Sequence, residues 1–409
     1  MKKARRESKR QTPLFAYRTA REFVPAYKRQ DENKYRHDTF YFRGGSSRLA
    51  DLENAVAKLT GVDKGHLALT TSGMSAFITA LDTAALTRGD VVIHGTVEYG
   101  QIYNYLNIDL RERGVIPIEV NVGDSSALAS VLKQTVARYS KERIKVIFLE
   151  TVGNGPDMPV LDIERFLSLP ILRKIDPLIL VDNTLPTSSI ISLAPYLKRS
   201  PLKVVALESA TKFYLFNQDL GGILFTYRDD LLQKLLTKRK RSGATPGPSL
   251  IERFEQLLPR TKTQFDRRNT LTMQNTKFLA EACNETQGSD NVFTVGYPTL
   301  PQHDNRTYVQ KKYRDGIAPV FFISTLKNSF CTTEELFYAL EEEGAFKGTF
   351  IAESFGFERT SVSYSPRCGG YIRVAGGLES VKGIGKIAKQ LQRTLSAVYE
   401  RPAGAARRK

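Results

Sequence analysis

From about Asp51 the chain alternates short apolar runs rich in β-branched residues with stretches of helical periodicity, and this constrains its fold more than any other feature. DLENAVAKLTG (51–61) carries apolar residues at helical spacing, HLALTT (66–71) reads as a short strand, and SGMSAFITALDTAAL (72–86) as a helix opened by a Ser-Gly pair. The runs VVIHG, KVIFLE, LILVD and KVVALES follow, each leading into polar or helix-like sequence. Near-continuous apolar strands spaced by helices predict an α/β class with a mostly parallel sheet covered on both faces. After a Gly/Pro break at 243–248, a helical stretch (249–283) leads to the strands APVFFIST and YIRVAG and a closing helix, ESVKGIGKIAKQLQRTLSAVYE. The organisation expected is an N-terminal arm over 1–50, extended and without periodicity, a large domain over 51–250, and a smaller C-terminal α+β domain over 251–409.

Composition narrows the class. With 409 residues and 41% hydrophobic content, the chain has enough apolar side chains to offset ordering entropy, which excludes a disordered or collagen-like protein. Three widely spaced cysteines suggest neither a disulfide framework nor a zinc site, so no metal is expected and a reducing cytoplasm fits. No uncharged apolar stretch approaches the roughly twenty residues a bilayer requires, and no apolar segment follows the basic start before Pro13. A cytoplasmic protein without a membrane or an export signal is expected.

The net charge of +17 raises the question of nucleic acid, so its placement matters. Residues 1–10 carry six Lys or Arg against one Glu, and residues 401–409 carry four. Lys234, Lys238, Arg239, Lys240 and Arg241 form a third cluster. Solvated tails and one exposed helix end account for this pattern, and no recognisable nucleic-acid-binding motif accompanies it. A basic nucleic-acid-binding protein lacking catalysis is the alternative from another class.

In parallel sheets ligands gather at the carboxyl ends of strands, so the residues after each strand are the candidates for chemistry. Lys212 follows KVVALES. A desolvated lysine has a lowered pKa and can condense with a carbonyl, while the hydroxyls of Ser209 and Thr211, two apart along an extended chain, would point to one side and hold a phosphate. That is what pyridoxal phosphate requires, although an isolated SATK is equally a surface turn. Asp182 ends LILVD, where a buried carboxylate needs a cation such as a protonated pyridine nitrogen, or else caps the following turn. Ser72, Gly73 and Met74 open a helix whose free amides form an anion site, or Ser72 is an ordinary N-cap. Tyr99 could stack on a ring and carry a proton, or merely pack.

Together these residues resemble the pyridoxal-phosphate enzymes of cysteine and methionine metabolism, the cystathionine gamma-synthase family of fold-type I, from about Thr39 to about Leu391. SGM (72–74) resembles the family's phosphate turn, EYGQ (98–101) its ring-stacking tyrosine segment, and ETVGN (150–154) its ETPxNP, which places Asn154 near the cofactor's phenolic oxygen. VDNT (181–184) and SATK (209–212) match letter for letter. The resemblance implies a seven-stranded-type sheet, pyridoxal 5'-phosphate as cofactor, and Lys212 and Tyr99 as catalytic residues. It implies that Tyr41 and Arg43, in YFR, reach into a neighbouring subunit's site, so a homo-oligomer, a dimer or dimer of dimers, is expected. SFG (354–356) and IRVAGGLES (372–380) resemble segments that hold the substrate carboxylate through Ser354 and Arg373. The implied activity is γ-elimination or γ-replacement on an L-amino acid, sulfur-containing or O-acyl homoserine-like, with β-elimination or an inactive nucleic-acid-binding member as alternatives. The pattern departs at Val152 and Gly155, at Gln101 and Ile102, and at Leu215-Phe216-Asn217-Gln218-Asp219, where the usual His is missing.

Overall fold

Seven strands build the larger sheet: β1 (Leu67–Thr70), β2 (Val91–Gly95), β3 (Ile116–Val120), β4 (Ile144–Glu150), β5 (Leu178–Asp182), β6 (Lys203–Ser209) and β7 (Gly222–Phe225). Their spatial order is β1-β7-β6-β5-β4-β2-β3, and β7 alone runs antiparallel, between β1 and β6. The computed structural model describes residues 19–31, 41–286, 292–326, 329 and 331–399. Side chains alternate along each strand, so Ile147, Leu149, Ile179, Val181, Val204 and Ala206 enter one apolar core. Val146, Phe148, Leu178, Leu180, Val205 and Leu207 enter the other. Both faces are therefore buried, which is why these strands read as unbroken apolar runs. Phe77, from the helix Gly73–Leu81, meets Phe148 edge-to-face at 5.1 Å on one side. Leu49, Leu52 and Val56 of the helix Ser47–Thr60 cover the other.

A second sheet contains β8 (Phe293–Gly296), β9 (Val320–Thr325), β10 (Phe350–Ile351), β11 (Ser361–Ser365) and β12 (Tyr371–Ala375), ordered β10-β11-β12-β9-β8. Only its β10–β11 pair is parallel. The closing helix Val381–Tyr399 buries Ile384, Ile387, Ala388, Leu391 and Leu395 at helical spacing. Among the described residues no helix is long and apolar enough to cross a membrane.

Four features depart from the sequence reading. The segment expected to be an extended arm contains a helix, Ala20–Asp31, because Phe23, Val24 and Tyr27 do share one helical face, although over a single short element. The helical stretch after the Gly/Pro break is two helices, Pro248–Leu257 and Lys262–Glu285, divided where Pro259 cannot continue the hydrogen-bond ladder. Strands β3 and β7 carry weaker signals, one through Pro117 at a sheet edge and the other through its four-residue length. Finally, Arg239 of the basic cluster is 3% exposed. Its Nη1 donates to Glu53 Oε1 at 2.5 Å and to the Leu69 carbonyl at 2.8 Å, tying the helix Asp229–Ser242 to β1. The basic stretches 1–10 and 401–409 lie outside the described residues.

Candidate functional site

Four acids collect at the carboxyl edge of the larger sheet. Glu150 and Asp182 end β4 and β5 opposite each other in register. Asp182 Oδ1 accepts from the Thr184 amide at 2.8 Å, and Thr184 Oγ1 accepts from the Ser209 amide at 2.8 Å, so the VDNT turn links the ends of β5 and β6. Burial pushes Asp182 up to about 6, against the pull of Thr184's hydrogen bonds. Glu150 is held well above the carboxylate range by burial and by the neighbouring Asp182 and Glu98, and its Oε1 accepts from the Tyr99 amide at 2.6 Å. Burial also raises Glu98 to about 7, although it accepts from the Gly95 amide at 2.6 Å and faces His94 Nδ1 at 3.3 Å. Glu208 reaches about 7 for the same reason, while accepting from Ser188, from Tyr214 Oη at 2.6 Å and from Asn183 Nδ2 at 3.1 Å. An edge so rich in buried acid favours a cationic guest.

Lys212 stands above this edge. Here the local geometry corrects the sequence reading: the chain is extended only to Ser209, and Ala210–Phe213 is a helical turn. Thr211 Oγ1 accepts from the Gly221 amide at 3.1 Å, so its hydroxyl is oriented by the turn and not by strand alternation. Lys212 Nζ donates to Ser354 Oγ at 2.7 Å and lies 5.3 Å from the centre of the Phe355 ring. Burial, assisted by the positive charge of Arg373 and opposed by Glu353, lowers this amine to about 8. Arg373, on β12, is itself pulled below its ordinary value by burial, with Glu353 and Tyr99 acting against that. Tyr99 stands 45% exposed, its phenol raised by burial and by Glu353 and lowered by Arg373 and Arg367. Lys212, Arg373, Ser354 and Tyr99 thus come together from both sheets.

The Ser72 turn borders the same edge. Ser72 caps the helix Gly73–Leu81 reciprocally, accepting from the Ser75 amide at 3.0 Å while its own amide donates to Ser75 Oγ at 2.8 Å. Both readings of this serine therefore hold at once: it is an N-cap, and the cap opens a positive helix end. A Cβ at Gly73 would stand 3.0 Å from Ser209 Cβ, and one at Gly222 only 2.1 Å from the Ser72 carbonyl, so two glycines allow the turn to approach β6 and β7. The Met74 side chain packs into the core beside Phe77, which leaves its backbone amide as its contribution. Asn154 Oδ1 and Arg373 Nε are buried with no hydrogen-bond partner among the described residues.

Tyr41 and Arg43 are placed differently. The Arg43 guanidinium lies 4.7 Å over the Tyr41 ring, and the Arg43 carbonyl accepts from Thr245 Oγ1 at 3.2 Å. The roles of four residues were not anticipated by sequence reasoning. Glu353 acts electrostatically on Lys212, Tyr99 and Arg373, and Glu150 holds the Tyr99 amide. Arg367 Nη1 reaches the Glu98 carbonyl at 3.5 Å and occupies the space a side chain at Gly100 would need. Asn217 contacts Ser354. Glu150 enters the sequence reading only as the first residue of ETVGN and Asn217 only as part of the departure after Lys212, and no signal points to Glu353 or Arg367.

Comparison with known proteins bears directly on this site. A family model described as Cys/Met metabolism PLP-dependent enzyme matches residues 2–386. A protein of Herpetosiphon aurantiacus named "Probable cystathionine gamma-synthase" is 27% identical over 272 residues, 64% of this chain and 76% of its own length. The L-methionine gamma-lyase of Treponema denticola is 25% identical over 300 residues, 72% of this chain and 67% of its own. The fold matches the crystal structure of a cystathionine gamma synthase from Xanthomonas oryzae pv. oryzae, in complex with aminoacrylate and cysteine, with a TM-score of 0.70 at 18% identity, covering 94% of this chain and 92% of that one. With its α/β architecture and a half-buried lysine at the carboxyl edge of its larger sheet, the chain belongs to the pyridoxal-phosphate-dependent enzymes of Cys/Met metabolism.

Proposed function

We propose that this chain removes or exchanges a group at the γ carbon of an L-amino acid, by γ-elimination or γ-replacement. The observation that carries the reading is the half-buried amine of Lys212, which donates to Ser354 and is lowered to about 8 by burial and by Arg373, with Tyr99 on the same side. The residues present fit pyridoxal phosphate: an orphaned Asn154 oxygen, a helix start brought against Ser209 by glycines, and buried acids that favour a cation. When bound, the cofactor supplies an aldehyde and an electron-withdrawing ring that takes up charge from the α carbon.

The chain's own residues do the rest. Asp182, ionised above about pH 6, would hold the ring nitrogen and favour its protonated form. The amides of the Ser72-Gly73-Met74 turn, with the hydroxyls of Ser209 and Thr211, would hold the phosphate, and the Asn154 side chain would hold the phenolic oxygen. Tyr99, its backbone amide fixed by Glu150, would stack on the ring. Arg373 binds the α-carboxylate through its unpaired Nε, assisted by Ser354, and so holds the α-proton in line for removal. Lys212 would take that proton, pass it on, and then take a β-proton, so that the β C–H pair becomes the Cβ=Cγ bond and the γ-substituent departs with its own electrons; Tyr99 is the nearby phenol. Tyr41 and Arg43 serve the phosphate of a neighbouring subunit, so the working unit is a dimer or dimer of dimers in the cytoplasm. Arg239 of the basic cluster is committed to Glu53 and so adds nothing to a surface for nucleic acid.

The test is product identification with a panel of γ- and β-substituted amino acids. O-acyl homoserines should give 2-oxobutanoate, or a thioether when a thiol is added. Pyruvate from cystathionine, with no reaction at γ-substituted substrates, would assign β-elimination instead.

A further inference from the structure

The turn after Lys212 is strained in a way that the proposed chemistry does not explain. Phe216 and Asn217 both have positive φ, 52° and 58°, and for a bulky Phe this is a rare conformation. It persists because the Arg268 guanidinium covers the Phe216 ring at 3.5 Å and the Asn217 amide donates to the Thr211 carbonyl at 2.7 Å. The result is to carry the Asn217 side chain to the loop after β10, which packs so close that a Cβ on Gly356, at φ 81°, would stand 2.8 Å from the Lys212 carbonyl oxygen.

The polar groups there can be ordered in only one direction. Asn217 Nδ2 donates to the Phe355 carbonyl at 2.8 Å, and a carbonyl only accepts, so the amide cannot be turned over. Its Oδ1 therefore faces Ser354, whose hydroxyl must donate to it, at 2.6 Å. With its proton spent, Ser354 Oγ meets Lys212 Nζ at 2.7 Å as an acceptor alone. The other groups around Nζ are the charges of Arg373 and Glu353 and the Phe355 ring.

We propose that Asn217 is a positioning residue that fixes Ser354 as an acceptor toward Lys212, so that the lysine spends an N–H on the contact and keeps its lone pair free. Without Asn217 the serine can turn its proton onto the neutral amine and mask the lone pair the reaction needs. The inference rests on the proposed role of Lys212, but its test does not.

The full-length protein, freed of cofactor, is labelled with acetic anhydride at a pH where the amine is neutral, and acylation of Lys212 is followed by mass spectrometry. Asn217→Gly, which suits the left-handed backbone, should slow labelling about fivefold, the scale of one hydrogen bond. Asn217→Asp keeps an acceptor and should label at the wild-type rate. In a Ser354→Ala background, Asn217→Gly should have no further effect, since there is then no hydroxyl to orient. An unchanged rate in Asn217→Gly, an equal slowing in Asn217→Asp, or a slowing that persists beside Ser354→Ala would each overturn the proposal. Because no cofactor takes part, failure here is separable from failure of the catalytic reading, which cofactor attachment to Lys212 tests.

Discussion

The two sheets meet across Lys212 and are built for different purposes. The seven-stranded sheet brings Glu98, Glu150, Asp182 and Glu208 to its carboxyl edge, three of them buried and Asp182 half-buried, and all pushed above the carboxylate range. Each is held by strand ends or by backbone amides. The five-stranded side brings Arg373 on a strand, but Ser354, Glu353 and Arg367 on the loops around β10, β11 and β12. Buried acids in a rigid edge suit a constant guest with a cationic ring. Loops carrying one acid and one arginine, beside the strand that carries Arg373, suit a variable guest, the substrate. On this account cofactor recognition and substrate choice are divided between sheets, and changes in one should leave the other's readout intact.

The largest expected effect belongs to the rigid side. Asp182→Asn keeps an acceptor for the Thr184 amide but removes the charge facing the ring, and should lower kcat by about 10³-fold while KM moves little. Steady-state kinetics with the cofactor in excess checks this, and a change confined to KM would break the division.

Next is a stability effect with no catalytic counterpart. The folded-state pKa of Glu208 is raised from 4.5 to about 7, so the folded protein holds this proton more tightly than the unfolded chain. Its contribution is favourable at low pH and is lost as pH rises from 4.5 through 7, a change of about 3 kcal/mol. Denaturant titrations over that window should show stability falling in the wild type, with this part of the slope absent from Glu208→Gln. A slope of the opposite sign would mean that the Ser188, Asn183 and Tyr214 hydrogen bonds outweigh burial.

The smallest belongs to the substrate side. Arg373→Leu should reduce kcat/KM about 100-fold, chiefly through KM, the scale of losing charge-assisted hydrogen bonds to a carboxylate. The cofactor absorption of the variant should be unchanged. A variant that also loses cofactor would show that the two guests share this arginine.

Much of the rigid side was legible in the sequence because its residues sit next to the strands that position them. An apolar run ending in Asp182, or a strand leading to Ser209 and Lys212, announces both the element and its polar end. The helix Ala20–Asp31 was missed because its apolar face is one short patch, and β7 because four residues carry little pattern. The partners of Arg239 and Lys212 were illegible for a different reason. Glu53 lies 186 residues from Arg239, and Ser354 lies 142 from Lys212. No local periodicity encodes such contacts. Asn217 looked like the loss of a histidine, and only the direction of its hydrogen bonds shows what stands there instead.

The central claim is that Lys212 is the amine that carries the cofactor. Reduction of the protein with borohydride in the presence of pyridoxal phosphate, followed by peptide mapping, tests it most directly. A pyridoxyl group on Lys212, absent from Lys212→Ala together with the visible absorption, is the predicted result. A label on a different lysine, or wild-type absorption in the variant, would contradict the account.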